Sequence, residues 1–561
     1  MKFLDKSIFV FFLTLIFLLG CKSNKDISNT VSDTMPFTWD NATIYFMMTD
    51  RFYNGDPSND YQHTDDNPPA PLRGYMGGDI KGITKKIKDG YFNDLGVNAI
   101  WMTPLVEQII GSVDEGTGNS FGFHGYWTRD WTALDSKFGT EEDLKEMIAA
   151  AHENGIRILL DVVANHTGPV TALDSQWPDE WVKTSPQCTY QSAETTINCT
   201  LVANLPDIKT ESEVEVQLPP FLAEKWKSEG RYDREVKELD DWFNETGLKR
   251  TAVNYIMKWI VDFIKDYGVD GFRVDTVKHT EDFVWKVLKK EASKAFDDWK
   301  NQNPDKKLDD NEFYLVGEVY NYYAGNGRIF DYGDKKVDFF EDAFTSLINF
   351  DFKGDAHKDY ESIFTKYDGL LRGEMKGKSI VHYISSHDDG GPFDLKRERP
   401  FESGTKLLLC PGGVQIYYGD ETARDLSIEE ANGDAKLRSF MNWDELKAMK
   451  EKNGYKVNDV LIHWQKLGKF RNNHPAIGAG KHQKVSDTPY MFTRTWATSN
   501  GQEDKVLIGL DMPKGQMTIN VSSIAKDGET VKDMYSGASG VVEEGKIVID
   551  SAFDIVLLEK S

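Results

Sequence analysis

The sequence predicts an α/β protein with three parts: a (β/α)₈ barrel, a subdomain inserted after the third strand, and a C-terminal antiparallel β-domain. Short apolar runs alternate with helical segments from Thr43 onward, which is the pattern of parallel βα units. Residues 167–246 interrupt this alternation, and such a segment is too long for a barrel loop. From Tyr490 to Glu559, short alternating strands are separated by Gly and Asp turns, which predicts a separate β-domain.

Eight apolar runs are the predicted barrel strands. The third follows a helix capped by Thr140 and ended by Gly155, and the fourth follows the turn Tyr267-Gly268, where a helix would end. The sixth has the weakest pattern. The predicted strands cover residues 44–48, 97–102, 156–163, the stretch that starts at 271, 313–316, 346–350, 379–384 and 414–418.

The N-terminal segment is predicted to direct export. Lys2 and Lys6 precede an apolar run that ends at Leu19 and is short for a membrane span. The ending Leu18-Leu19-Gly20-Cys21 resembles a bacterial lipobox, in which the cysteine is lipidated; the alternative is a plain signal peptide with an incidental cysteine. We therefore expect a protein that is exported and lipid-anchored to a bacterial membrane, at the outer membrane or periplasm or on the cell surface.

These patterns predict the domain boundaries. The signal peptide covers residues 1–20, the tether 21–40, the barrel 41–166 and 247–475, the inserted subdomain 167–246, and the C-terminal β-sandwich domain 476–561.

Composition excludes some classes of partner. The net charge of −25 argues against nucleic acid, because proteins that bind it gather positive surface. Contact with the membrane is expected through the anchor only, and the protein is expected to be a monomer. Cys188 and Cys199 could form a disulfide in an exported protein. Cys410, in an apolar run, is typical of a buried free thiol.

Polar motifs fall at the ends of five predicted strands. Arg273 and Asp275 lie on one face of the fourth strand, where they could be a structural ion pair or part of a site. A barrel of this kind has its active site at the C-terminal ends of its strands, so five such motifs favour the site. The motifs are Asp161 to His166, Arg273 to Asp275, Gly317 to Val319, Ser386 to Asp388, and Gly419 to Glu421.

These segments resemble the α-amylase family of retaining α-glucan enzymes, glycoside hydrolase family 13, from about Asn41 to the C-terminus. The resemblance implies that Asp275 is the nucleophile, Glu318 the acid/base, and Asp388 the carboxylate that stabilises the transition state. Retaining cleavage needs a carboxylate and a protonated carboxyl on opposite sides of the bond. Arg273 would keep the nucleophile ionised, and Glu318 needs a raised pKa.

The resemblance also implies contacts with the substrate. The segment from Phe123 to Trp127 resembles a family loop whose tyrosine stacks on the sugar at the cleavage site, although an aromatic cluster alone would more often belong to a core. The predicted substrate-binding residues are His124, Tyr126, His166, Arg273, Lys278, His279 and His387.

Calcium is the cofactor that the resemblance implies, at two sites. The first would use Asn165, Asp207 and the backbone carbonyl of His279. The second resembles the N-terminal calcium loop of cyclodextrin glucanotransferases, whose oxygen-rich turn suits a hard cation; the alternative is a solvated turn. Its predicted ligands are Asn54, Asp56, Asn59, Asp60, Gly77 and Asp79.

The sequence therefore predicts a lipid-anchored, calcium-binding endohydrolase of α-1,4-glucans. Within the same family, a cyclodextrin or maltogenic hydrolase or a transglycosylase is the alternative, and the pair Lys278-His279 favours the α-amylase interpretation. A non-catalytic glucan-capture lipoprotein is a third possibility, but a binder has no need of a matched acid and nucleophile. From Asp388 onward, the segment Asp388-Asp389-Gly390-Gly391-Pro392 departs from the usual family continuation.

Overall fold

Eight parallel strands close into a barrel in the computed structural model, which describes residues 35–341 and 343–561. Each strand pairs with the next one along the chain, and β1 closes the ring against β8, with Thr43 opposite Val414. The predicted barrel is confirmed. Its strands are β1 (Thr43–Met47), β2 (Ala99–Met102), β3 (Arg157–Val162), β4 (Gly271–Val274), β5 (Tyr314–Gly317), β6 (Ser346–Asn349), β7 (Ser379–His382) and β8 (Gly413–Tyr417).

The longer helices surround the barrel or belong to the insert. Thr140 caps one of them through a capping box with Asp143, which satisfies two otherwise unpaired helix N–H groups. Those of eight or more residues are α1 (Ile80–Lys88), α2 (Glu141–Glu153), α3 (Pro220–Ser228), α4 (Tyr232–Thr246), α5 (Ala252–Tyr267), α6 (Asp282–Gln302), α7 (Tyr360–Arg372), α8 (Pro400–Leu408) and α9 (Val457–Asn473).

Short elements fill the loops. The shorter helices are Trp39–Asn41, Thr49–Phe52, Tyr91–Asp94, Glu194–Ile197, Val277–His279, Ala324–Asn326, Phe352–Asp355, Gly433–Leu437, Trp443–Lys447 and Ala476–Ala479. Short strands pair as Val106–Gln108 with Thr128–Leu134, Val113–Asp114 with Asn119–Ser120, Val182–Lys183 with Asp207–Ile208, Phe330–Asp331 with Lys336–Val337, and Glu451–Lys452 with Tyr455–Lys456.

The segment between β3 and α5 forms the insert, which contains α3 and α4. A β-bridge between His166 and Asp207 ties it to the end of β3. Within the insert, Cys188 and Cys199 are joined by a disulfide with Sγ atoms 1.98 Å apart, whereas Cys410 is a buried free thiol.

The C-terminal region is the predicted antiparallel β-domain. One sheet has the order β9-β10-β11-β16-β13-β14, and β12 pairs with β15 in a second sheet. An apolar cluster that includes Met491, Ile519, Val531 and Ile549 fills its core. The strands are β9 (Lys481–Asp487), β10 (Tyr490–Ala497), β11 (Glu503–Leu510), β12 (Gly515–Asn520), β13 (Thr530–Asp533), β14 (Ser539–Val541), β15 (Lys546–Ser551) and β16 (Ile555–Lys560).

A histidine after α9 joins the barrel to the β-domain. Nδ1 of His474 lies 2.8 Å from Asp504 of β11, and Nε2 lies 2.6 Å from Glu559 of β16. Residues 36–561 accordingly form one compact unit.

The predicted signal peptide, the predicted lipidation site Cys21 and the tether as far as residue 34 lie outside the described residues. Among residues 35–341 and 343–561, none of the helices combines the length and the apolar character that a membrane span requires.

Candidate active site

The three predicted catalytic carboxyl groups line one cavity of about 620 Å³ at the C-terminal mouth of the barrel. Asp275 directly follows β4, Glu318 directly follows β5, and Asp388 lies beyond the end of β7. The same cavity is lined by the predicted substrate-binding residues His124, Tyr126, His166, Lys278, His279 and His387.

Arg273 connects the acidic groups at the bottom of the cavity. Its buried guanidinium donates to Oδ1 of Asp275 at 2.6 Å and to Oδ1 of Asp161 at 3.0 Å, and Nη2 lies 3.6 Å from Oε2 of Glu318. The three carboxyl neighbours offset the cost of burying the charge of the guanidinium. The pKa of Arg273 is accordingly raised, because these acids outweigh the effect of burial.

Asp161 holds this arrangement from below, a role that the sequence did not assign to it. Its Oδ2 accepts hydrogen bonds from Nε1 of Trp101 at 2.9 Å and from the hydroxyl of Tyr126 at 2.8 Å. Burial raises the pKa of Asp161 to about 6, although Arg273 acts in the opposite direction. The motif from Asp161 to His166 was a signal for this residue, but its partners are distant in the chain.

Glu318 has the environment of a proton donor. Burial raises the pKa of its carboxyl to about 8, and the negative charges of Asp275 and Asp388 act in the same direction. Arg273 and a hydrogen bond from a backbone N–H act in the opposite direction and lower the pKa. That N–H belongs to Thr276 and lies 2.8 Å from Oε2. The Glu318 carboxyl therefore carries its proton at neutral pH.

Asp388 is in a different electrostatic environment. Its side chain is 33% exposed to the cavity, and Oδ1 accepts a hydrogen bond of 3.0 Å from the Ser386 hydroxyl. Burial would raise the pKa of Asp388, but His387, Arg273 and Arg438 outweigh it and lower the pKa. Burial also lowers the pKa of His387 to about 4, so His387 is neutral near pH 7 and the two arginines keep Asp388 ionised.

Tyr126 forms a platform with three histidines. Its ring stacks on His387 with centroids 5.3 Å apart, its backbone N–H donates to Nδ1 of His124 at 3.0 Å, and its carbonyl lies 3.1 Å from Nε2 of His166. Burial lowers the pKa of His124 well below its ordinary value. Uncharged imidazoles beside an aromatic face suit the hydroxyls and apolar face of a sugar.

The opposite side of the cavity is lined by Lys278, His279 and two tyrosines that the sequence did not predict. The Lys278 ammonium donates to the carbonyl of Tyr320 at 3.1 Å and lies 5.7 Å from the ring centre of Tyr190. Nδ1 of His279 lies 2.9 Å from the carbonyl of Thr196 in the insert. Tyr190 and Tyr320 are 52% and 38% exposed, which leaves ring surface available to a ligand.

A third group of cavity residues was also not predicted: Glu115, Asp434 and Arg438. Nε of Arg438 donates to the carbonyl of His387 at 2.9 Å, and its Nη2 forms an ion pair with Asp434 at 2.5 Å. Asp434 and Arg438 are four residues apart, which is the spacing of any helical ion pair. The sequence pattern therefore does not distinguish Asp434 and Arg438 from ordinary surface charges.

Asp389, where the sequence departs from the family pattern, is anchored behind Asp388. Its carboxylate accepts a hydrogen bond of 2.6 Å from the Tyr383 hydroxyl and forms a close ion pair with Lys353. Asp389 is buried and is not among the residues that line the cavity.

The first predicted calcium site brings together Asn165 and Asp207, both buried, with Nδ2 of Asn165 3.0 Å from Oδ2 of Asp207. His279 contacts the insert, as described above. Among the described residues, no group of three or more His, Cys, Asp and Glu side chains could hold a metal ion. A site here would therefore combine the Asp207 carboxylate with amide and carbonyl oxygens, which Ca²⁺ accepts.

The second predicted calcium site contains polar atoms without a protein partner. Oδ1 of Asn54 and Oδ1 of Asn59 are buried and accept no hydrogen bond, and Asp60 lies beside them, 2.8 Å from Nδ2 of Asn54. A methyl group added to Gly77 would lie 2.5 Å from Oδ1 of Asp60. These oxygens fit a hard cation.

Two other residues of that loop have protein partners. Asp79 caps α1 and accepts N–H groups of Gly55, Asp56 and Gly82 at 2.9, 2.7 and 2.6 Å. Asp56 forms an ion pair with Lys81 at 2.6 Å. Their roles as calcium ligands stay predictions.

The chain resembles known amylases in sequence and in fold. Residues 46–480 match the family model described as alpha amylase, catalytic domain. The chain is 36% identical to the periplasmic alpha-amylase of Escherichia coli over 535 residues, which covers 84% of this chain and 72% of that protein. It is 25% identical to a cyclomaltodextrin glucanotransferase of Thermoanaerobacterium thermosulfurigenes, over 87% of this chain and 62% of that one.

The fold agrees with these matches. The crystal structure of an alpha-amylase from Geobacillus thermoleovorans, complexed with acarbose, superposes with a TM-score of 0.63 at 20% identity, over 93% of this chain and 99% of that chain. The family match over most of the barrel, together with three carboxyl groups at its mouth, leads to one conclusion. The chain belongs to the α-amylase family and is a glycoside hydrolase.

Proposed function

We propose that this enzyme hydrolyses internal α-1,4-glucosidic bonds of starch- or glycogen-like glucans with retention of the anomeric configuration. One observation carries the proposal: Arg273 contacts both Asp275 and Glu318, yet the two carboxyl groups differ in environment. Asp275 accepts a hydrogen bond of 2.6 Å from the guanidinium, whereas burial raises the pKa of Glu318 to about 8. An ionised carboxylate facing a protonated one is the pair that a double displacement requires.

In the first step, Asp275 attacks the anomeric carbon and forms a glycosyl–enzyme ester. Glu318 gives its proton to the glycosidic oxygen, and the rest of the chain leaves with a free hydroxyl. In the second step, the ionised Glu318 takes a proton from water, which attacks the same carbon and releases Asp275. Proton transfer of this kind contributes roughly 10²–10⁴ in rate.

The other cavity residues support this chemistry. Asp388 stays ionised beside the positive charge that develops on the sugar ring, which stabilises the transition state. Tyr126 stacks against the ring, and His124, His166 and His387 can exchange hydrogen bonds with its hydroxyls. These contacts fix the reacting carbon relative to Asp275.

Transfer to a second sugar is the alternative outcome of the same intermediate. The exposed rings of Tyr190 and Tyr320 flank Lys278 on the side of the departing chain, and a sugar that stacks there could replace water. In that case maltotriose would yield products longer than itself. Hydrolysis alone would yield only shorter ones.

Release of new reducing ends from soluble starch tests the proposal. The wild-type enzyme should generate them, and Asp275→Asn should be nearly inert, because the nucleophile is lost while the fold remains. Asp310→Asn, at a side chain that is 89% exposed, is the matched control and should be fully active. Binding of starch without new reducing ends would instead support the glucan-capture alternative.

We further propose that calcium stabilises the enzyme at the two sites predicted above. Asn54, Asn59 and Asp60 would hold one ion, and Asn165, Asp207 and the His279 carbonyl the other. The unpartnered amide oxygens of Asn54 and Asn59 support this assignment. A bound ion would cross-link the loops that hold it and would neutralise the charge of buried carboxylates.

We also propose export and anchoring through a lipid at Cys21. The similarity to a protein named periplasmic alpha-amylase supports export, and the sequence before Cys21 supports lipidation. Several acyl chains are needed for stable anchoring, because one holds a protein only marginally. Cys21→Ala should move the full-length protein from the detergent phase to the aqueous phase, and a wild-type protein already in the aqueous phase would contradict the proposal.

A further inference from the structure

A charged network closes one end of the catalytic cavity and presents Glu115 to it. Glu115 lies in the turn of the hairpin formed by Val113–Asp114 and Asn119–Ser120, and its side chain is 39% exposed. Arg73, whose side chain is only 3% exposed, donates to Oε2 of Glu115 at 2.5 Å. A buried arginine thus holds an exposed carboxylate at the rim.

The same arginine fixes the hairpin to the loop that follows β8. Nη2 of Arg73 donates to the carbonyl of Asn432 and to Oδ1 of Asp434, both at 3.2 Å. A methyl group added to Gly433 would lie 3.6 Å from Cγ2 of Thr117 and 3.4 Å from Nη2 of Arg73. Arg73 therefore bridges the hairpin and the loop, which lie close together, and its bonds hold Glu115 in place.

This end of the cavity faces the part of the glucan that stays on the enzyme after the first step, which we call the donor side. Asp434 pairs with Arg438, which binds the carbonyl of His387. His387 stacks on Tyr126, the platform of the sugar that is attacked. The departing chain lies on the other side, since Lys278 and Tyr320 adjoin the proton donor Glu318.

Glu115 has a free hydrogen-bond acceptor there. In the part of the chain that the structure describes, the Glu115 side chain accepts hydrogen bonds through Oε2 only, and Glu115 lines the cavity. A carboxylate that is oriented by a charge-assisted bond on one oxygen can accept sugar hydroxyls on the other with little ordering cost.

We propose that Glu115 is a donor-side specificity residue that binds a glucosyl unit beyond the one attacked. It thereby selects which bond of an oligosaccharide is cleaved. The inference rests on the proposed function, because it assumes a glucan in the cavity. Arg73 acts through Glu115 as a positioning residue.

Cleavage of maltoheptaose labelled at its reducing end tests this inference, since the labelled products report which bond was cut. Glu115→Ala should change the ratio of the two most frequent cleavages by about tenfold, the lower end of the effect of losing one hydrogen bond to a charged group. A mere folding defect lowers every cleavage equally and leaves this ratio unchanged. Glu142→Ala, at an α2 side chain that is 82% exposed, is the control and should keep the wild-type ratio.

Arg73→Gln should shift the ratio in the same direction. Combined with Glu115→Ala, it should add less than the sum of the two effects, because the residues form one unit. A wild-type ratio in Glu115→Ala would overturn the inference while leaving the proposed function intact. A wild-type enzyme that cleaves no bond of maltoheptaose would overturn the proposed function, and the inference with it.

Discussion

The backbone N–H of Thr276 donates a hydrogen bond of 2.8 Å to Oε2 of Glu318, so the residue after Asp275 holds the carboxyl group of Glu318. Thr276 adopts φ 48°, a left-handed conformation that is costly for a β-branched residue, on the order of 1–3 kcal/mol. The turn also lets the N–H of Val277 bind the carbonyl of Glu318 at 3.0 Å. The two hydrogen bonds made by this strained turn therefore hold Glu318 in a defined position relative to Asp275.

The activity should fall at alkaline pH as Glu318 loses its proton. The pKa of Glu318 is raised to about 8, so kcat/KM should decline above pH 8. Asp388→Asn removes a negative charge that raises this pKa, and its residual activity should decline at a lower pH. Initial rates between pH 5 and pH 10 measure both profiles. An unshifted profile in Asp388→Asn would contradict this electrostatic account.

Glu318→Gln should be more stable than the wild type at alkaline pH. The pKa of Glu318 is higher in the folded protein, about 8 against an ordinary 4.5, so ionisation costs folded-state stability as pH rises between these values. The variant lacks this cost and should gain up to about 4–5 kcal/mol at pH 9, but little at pH 4. Calorimetric Tm values at the two pH values measure the difference. An equal gain at both would mean that packing, rather than ionisation, is responsible.

His474 should stabilise the contact between barrel and β-domain at neutral pH. Burial would lower the pKa of His474, but Asp504 and Glu559 outweigh it and raise the pKa to about 9 from 6.5. The stabilisation is therefore complete below pH 6.5 and is lost as pH rises through 9. His474→Gln should cost about 2–3 kcal/mol at pH 6 and less at pH 10.

Chemical unfolding at the two pH values tests the role of His474, with the exposed His357 changed to Gln as control. A cost that does not depend on pH would assign the loss to packing alone.

Removal of calcium should lower the stability of the wild-type enzyme. An ion at a hundred times its Kd contributes about 2.7 kcal/mol, so a chelator should lower Tm. Asp60→Asn and Asp207→Asn should each reduce this sensitivity, because each removes a carboxylate from one predicted site. Asp310→Asn should keep it. A wild-type Tm that is indifferent to chelator would contradict both sites.

The barrel could be predicted because its signal is local. Each strand is a short apolar run, and the proposed catalytic residues Asp275 and Glu318 directly follow two of them. Strand ends were less predictable: β7 ends at His382, two residues before the predicted end, because the chain turns there and Tyr383 binds Asp389.

The remaining site residues are defined by contacts between distant parts of the chain. Asp161 meets Arg273 across two paired strands, so its role follows from the register of the barrel. Glu115 lies in a hairpin and is held at the cavity by Arg73, which also binds Asp434. Neither contact joins residues at a regular spacing in the chain, so no sequence pattern could predict it.

The anomeric configuration of the first products tests the central claim most directly. Retention follows from covalent attack by Asp275 and protonation by Glu318, whose carboxyl groups should lie about 5–5.5 Å apart, without room for the water of an inverting enzyme. Proton NMR of maltoheptaose during the first minutes of cleavage separates the two anomers before they interconvert. The account predicts that α-anomers form first and that Asp275→Asn forms none; initial release of β-anomers would contradict it.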